Sequence, residues 1–118
     1  MIDLEERWTP TQADFDAFAK VSGDDNAIHV DPEFCAKTAF GRTVSHGMLI
    51  YAKLWGMLKR YDAGLSQVSQ SLMFPNPAFA GEELRLRIAE EAPGLVRMLV
   101  TRVADGAECL TGEAEITC

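Results

Sequence analysis

Cysteine is scarce in this chain and scattered. Cys35, Cys109 and Cys118 form no metal-spaced pair, so neither a zinc site nor a disulfide framework is expected, and the three read as buried or tail thiols in a reducing cytosol. Basic residues are also few. Eleven Lys and Arg stand against 18 Asp and Glu, a formal charge of −7 with no basic run, which makes nucleic acid a poor partner because phosphate binding needs clustered cations. No uninterrupted apolar stretch approaches the ~20 residues that span a bilayer. Met1 to Glu6 lacks a basic region followed by an apolar run, so no secretory leader is expected. Repeats, linkers and low-complexity segments are missing as well. What remains is a chain of 118 residues with 47% hydrophobic and 25% charged residues, enough for one domain over residues 1–118 with a real core. A cytoplasmic protein with no membrane partner is the expectation.

Residues 3–8 alternate Leu4, Glu6 and Trp8 with Asp3, Glu5 and Arg7, a short candidate strand. Thr9-Pro10-Thr11-Gln12 reads as a helix start, with Thr9 as cap, Pro10 first in the helix and Gln12 at the capping-box position. Phe15, Phe18, Ala19 and Val21 make its apolar stripe and Gly23 its stop. Asp31-Pro32 restarts a short helix with Phe34 inward, ended by Gly41. Gly47 to Tyr61 predicts a long helix of about 22 Å. Its apolar residues run nearly all the way round, so it reads as buried, with Lys59 and Arg60 at the negative end of the dipole. Strands are then expected over Gln67–Phe74, Glu82–Glu90, Leu95–Ala104 and Ala107–Thr117, with turns at Pro93-Gly94 and Asp105-Gly106. Short loops between strands imply an antiparallel sheet. The fold class is therefore α+β, a curved antiparallel sheet wrapped around one long buried central helix.

The chemistry concentrates between Val21 and Gly47. Ser22-Gly23-Asp24-Asp25-Asn26-Ala27-Ile28-His29 puts a carboxylate and an imidazole five positions apart, in a Gly- and Asn-containing turn that reads as non-helical. Ser45-His46-Gly47 precedes the long helix. Ser45 suits its N-cap, and Gly47, read as the second helical residue, offers a backbone N–H without an intrahelical partner or a side chain in the way. An acid/base pair beside a helix N-terminus suits chemistry on a carbonyl compound. Asp25 and Asp31 read as a solvated turn carboxylate and an N-cap, and His46 as a first-turn residue of packing or hydrogen-bonding role that could also touch substrate.

Three stretches then carry a resemblance: Phe18 to Pro32, Ala39-Phe40-Gly41-Arg42, and Ser45-His46-Gly47-Met48-Leu49. In order and spacing they resemble the signature of the MaoC-like, (R)-specific enoyl-CoA hydratases, and Leu72 to Glu82 looks like that family's strand and loop. The resemblance covers nearly the whole chain and implies a single hot-dog domain, usually a homodimer, acting on acyl-CoA thioesters with no cofactor and no metal. It implies Asp24 and His29 as the catalytic pair and the Gly47 N–H as the donor to the thioester oxygen. Asn26 matches the motif's Asn and is expected to hold the turn or bond within the site. Lys37, Arg42, Lys53, Lys59 and Arg60 could form a rim for the CoA phosphates. The chain departs from the pattern at Ala27, where the motif has Pro, at Cys35, where a small residue is usual, and at Trp55, whose indole would shorten the acyl pocket and favour a short acyl group.

The implied activity is reversible addition of water to a trans-2-enoyl thioester. Two other readings stay open, a hot-dog acyl-CoA thioesterase and a non-catalytic acyl-CoA binding subunit. The thioesterase reading is disfavoured because residues 47–61 contain no Asp or Glu, and an intact Asp24/His29 pair argues against the binding subunit. A single sheet of this size leaves an open edge and a half-covered helix, which points to a homodimer.

Overall fold

A computed structural model describes all of residues 1–118. Strand β1 (Asp3–Trp8) is followed by helices α1 (Gln12–Ser22), α2 (Ala27–Val30), α3 (Pro32–Ala36) and α4 (Gly47–Tyr61). Strands β2 (Ser66–Met73), β3 (Leu84–Ala92), β4 (Leu95–Arg102) and β5 (Glu108–Thr117) complete the chain. All pairings are antiparallel, in the order β1-β3-β4-β5-β2. β3, β4 and β5 are successive hairpins, turned at Gly94 (φ 78°) and Gly106 (φ 74°), where a left-handed backbone favours glycine. β1 and β2 occupy opposite edges. The intervening helices must therefore carry the chain from one edge of the sheet to the other, and α4 does so across its inner face. The architecture is the expected α+β hot-dog fold.

Alternation explains that face. Leu84, Leu86 and Ile88 of β3 and Val96, Met98 and Val100 of β4 point inward and are at most 1% exposed, as the two-residue period of a strand requires. Ile50, Leu54, Met57 and Leu58 of α4 meet them in one core, each buried side chain contributing about 1.5–3 kcal/mol. The outer face carries ion pairs: Glu5 bridges Arg85 and Arg87, and Arg97 bridges Glu91 and Glu113. These are exposed and contribute little apiece.

Several local expectations shift. α1 is capped by Thr11, in a capping box completed by Asp14, so the helix begins two residues later than Pro10 suggests. Val21 is 86% exposed. In α3 the inward residue is Cys35, while Phe34 is exposed, and that helix ends at Ala36, well before Gly41. α4 has the expected bounds but buries one face only; Met48, Ala52 and Lys53 are exposed. Phe15, Ala19, Cys35, Val44 and Leu49 are buried outside the main core.

Candidate active site

The turn after α1 is built by short polar side chains. Gly23, at φ 81°, closes α1 with its N–H on Ala19 O. Ser22 Oγ donates to Phe18 O and accepts from Asp24 N–H at 3.1 Å. Asn26 Oδ1 accepts from Ile28 N–H, capping α2. His29 therefore sits on a one-turn helix, where the sequence suggested an irregular turn. A further helix start follows from the sequence: Asp31 caps α3 through Phe34 N–H at 3.0 Å, with Pro32 at the first helical position.

Val44 fixes His29 from both sides. Its N–H donates to Ile28 O at 2.9 Å, and its carbonyl lies 2.7 Å from His29 Nδ1. Since a carbonyl only accepts, Nδ1 carries a proton, and in the neutral ring the lone pair is on Nε2. Gln12 of α1 braces the same point, donating to His29 O at 2.9 Å and accepting from Thr43 Oγ1 at 2.6 Å. His29 Nε2 faces Asp24 Oδ2 at 3.7 Å. That is too long for a direct hydrogen bond, and a single water bonded to both atoms fits such a gap. Burial separates the two groups: His29 is 8% exposed, while the Asp24 side chain is 56% exposed.

His46 completes the cluster. Its ring stacks on His29 with centroids 3.8 Å apart and planes 21° from parallel, and its Nε2 lies 2.8 Å from the Asp24 carbonyl oxygen. His46, where Ser45 was expected, is the N-cap residue of α4, and it makes no side-chain cap bond. Ser45 Oγ instead donates to His46 O, and Ser45 N–H to Ala78 O. Gly47 is thus the first helical residue, with its N–H free of any helix carbonyl. Burial pushes the His46 imidazole below the ordinary histidine range, opposed by its bond to Asp24 and reinforced by His29.

Asp24, His29, His46 and Gly47 line one cavity of about 560 Å³, walled by Phe18, Met48, Ile50 and Phe74 among others. The structure does not bring Asn26 or Trp55 to it. Asn26 serves as a cap. Trp55 lines a neighbouring groove, separated from the cavity by Phe18 and Met48, which face both. The five cations proposed as a phosphate rim are also mostly engaged elsewhere. Arg42 pairs with Glu82 and Arg60 with Glu6, Lys53 lies over Trp8, and Lys59 donates to the carbonyls of Ala63 and Leu65. Phe74 and Val44 escaped the sequence reading. Phe74 lies just past the end of β2 and Val44 acts through its backbone, and neither role leaves a side-chain signal.

Asp24, His29 and His46 offer ligand-type atoms within 4.8 Å of one another. Stacked imidazoles direct their in-plane lone pairs side by side and not to a common point, and His46 Nε2 is committed to Asp24 O. The set suits proton handling better than metal ligation.

Residues 2–108 match the family model described as the MaoC like domain. The (R)-specific enoyl-CoA hydratase of Aeromonas caviae is 37% identical over 113 residues, 88% of this chain and 83% of that protein. A solved (R)-hydratase structure from A. caviae superposes with a TM-score of 0.88 at 31% identity, covering 98% of this chain and 93% of that one. An unliganded R-hydratase from Pseudomonas aeruginosa gives 0.84 at 32% identity, covering 98% and 78%. A mitochondrial 3-hydroxyacyl-[acyl-carrier-protein] dehydratase of Arabidopsis thaliana is 36% identical over 81 residues, 69% of this chain and 49% of that protein. The chain belongs to the MaoC-like dehydratase family.

Proposed function

We propose that the protein is an (R)-specific 2-enoyl-CoA hydratase, equally a 3-hydroxyacyl-CoA dehydratase, working without cofactor or metal. The observation that carries this reading is the pairing of an Nδ1-protonated His29 with Asp24 across 3.7 Å, at the mouth of an apolar cavity that also holds the first N–H of α4. A water between the two side chains is deprotonated by His29 Nε2 as its oxygen bonds to Cβ of the enoyl thioester. The π electrons move toward the thioester oxygen, where the Gly47 N–H and the positive end of the α4 dipole oppose the growing charge. The proton taken from water is returned to Cα, directly from His29 or through Asp24. One O–H bond and the Cα–Cβ π bond break, one C–O and one C–H bond form, and both side chains end as they began. The Asp24 carboxylate also stabilises the imidazolium while it exists.

The acyl group in this proposal is short. Phe18 and Met48 stand between the cavity and the groove that holds Trp55, so they, ahead of Trp55, limit the chain. Comparing turnover of crotonyl-CoA and 2-octenoyl-CoA tests this; preference for the longer chain overturns it.

A homodimer is part of the same proposal. β2 lies at a sheet edge with nearly every residue exposed, its sequence Ser66–Met73 has no charge, and Val68 and Met73 are 60% and 66% exposed. The other edge, β1, is guarded by Asp3, Glu5, Glu6 and Arg7 in the manner of a protected edge. Light scattering at micromolar concentration should give twice the chain mass, and a monomer mass refutes the dimer.

The deciding assay follows loss of enoyl-thioester absorbance on crotonyl-CoA for wild type, Asp24→Asn and His29→Ala. Activity in wild type alone supports the proposal. A flat wild-type trace together with release of free CoA would favour the thioesterase reading.

A further inference from the structure

We infer that His46 is a positioning residue that couples the two catalytic side chains, one ring holding both His29 and the backbone of Asp24. No other side chain makes a polar or ring contact with both. Its plane lies on His29 at 3.8 Å, and Nε2 meets the carbonyl of Asp24 at 2.8 Å. The ring is itself held, edge to face, by Phe18 at 4.8 Å and Phe15 at 6.4 Å, both from α1.

The protonation state follows from these contacts. The Asp24 carbonyl can only accept, so Nε2 bears the hydrogen, and Nδ1 is left as a lone pair. Nδ1 is fully buried and has no hydrogen-bond partner, in a residue only 2% exposed. The fold forgoes one buried hydrogen bond here, and a buried acceptor without a partner is destabilising. A second proton at Nδ1 would place a buried cation against His29 with no acceptor to receive it, so His46 is locked as the neutral Nε2–H tautomer. A neutral ring can stack on His29 without repelling the imidazolium that forms there during turnover.

The Asp24 pin matters because of where Asp24 stands. It lies in a four-residue link between α1 and α2, with an exposed carboxylate. Its remaining bonds are local, to Ser22 Oγ and Asn26 N–H. The His46 bond is the long-range tie that fixes the link relative to α4, where Gly47 N–H begins. Misplacing a reacting group by about 1 Å costs on the order of 100-fold in rate.

The inference rests on the hydratase reading of Asp24 and His29, so the experiment has an arm independent of turnover. His46→Gln keeps an N–H at the Nε2 position and loses the ring. His46→Phe keeps the stack and loses the N–H. His46→Asn carries an amide too short to reach Asp24 O. Amide hydrogen exchange at Asp24 and Ile28, whose N–H groups bond to Ser22 Oγ and Asn26 Oδ1, should accelerate in the Phe and Asn variants and stay near wild type in the Gln variant. Imidazole ¹⁵N shifts of the wild type should show His46 as the neutral Nε2–H tautomer at pH 7. With crotonyl-CoA, kcat should fall about 10–100-fold in His46→Phe with KM within about twofold, and His46→Gln should recover most of the loss. Equal exchange and equal kcat in the Gln and Phe variants, or an Nδ1–H or doubly protonated wild-type ring, overturns the inference. If wild type is inactive on every enoyl thioester, the functional reading fails while exchange and tautomer still decide the pin. If the Phe variant does not fold, the Asn and Gln pair makes the same comparison.

Discussion

The ring of Phe74 lies directly on Gly47, so closely that a Cβ built on Gly47 would come within 2.9 Å of three atoms at the ring edge. Gly47 has no positive φ. Its glycine is therefore required by that contact and not by backbone conformation. Gly47→Ala should displace Phe74 from the cavity wall, destabilise by about 1–3 kcal/mol and lower kcat/KM. Adding Phe74→Ala should relieve the clash, so the double variant should lose less stability than the sum of the singles. Urea unfolding of the four proteins measures that coupling, and strict additivity would refute the contact.

The proposed catalytic pair should be separable from folding at Asp24. Its carboxylate is exposed and its bonds to the fold run mainly through the backbone. Asp24→Asn should lower kcat by about 10²–10⁴ while leaving the thermal midpoint within a few degrees. His29→Ala should show a comparable rate loss and a larger stability loss, because it removes a buried ring and its bond to Val44 O.

Ala27 is a position where proline should help. It is the first residue of α2, where the N–H has no helix partner, and Asn26 before it has ψ 138°, the extended backbone that a following proline prefers. Ala27→Pro should stabilise by about 0.4–1 kcal/mol by restricting the unfolded chain, with kcat unchanged within twofold. Denaturant titration checks this, and destabilisation would mean that the α2 start differs from the one described.

His46 should also make stability depend on pH. Burial holds its folded value below the ordinary 6.5, so between these two values the unfolded chain binds more protons than the folded one. Its contribution to stability is full above about 6.5 and is lost as pH falls toward the folded value. Asp24 and His29 are the titratable groups it touches, with Cys109 on the same cavity wall. Urea midpoints from pH 7 to 5 should fall more steeply for wild type than for His46→Gln; parallel slopes would show that burial of His46 carries no such linkage.

The sequence by itself determined the elements with strong periodic patterns. Gly47 to Tyr61 has the expected bounds, and β3 to β5 lie within two residues of expectation because alternating Leu, Ile and Val and the turns at Gly94 and Gly106 leave few alternatives. That Asp24 and His29 share one turn was legible too, and the structure brings their side chains to 3.7 Å. The local starts were less so. Thr9 and Thr11 both suit a cap, and only the capping box with Asp14 chose between them; Ser45 lost the α4 cap to His46 because its hydroxyl bonds to the His46 carbonyl. Tertiary structure alone decided which contacts bind the site together. The stack of His46 on His29, the Val44 carbonyl at Nδ1, the Gln12 brace and the Phe74 ring over Gly47 join residues 15 to 31 positions apart. Such contacts follow from how α1, α2 and the start of α4 pack against one another, and the backbone atoms that make several of them are the same in every residue.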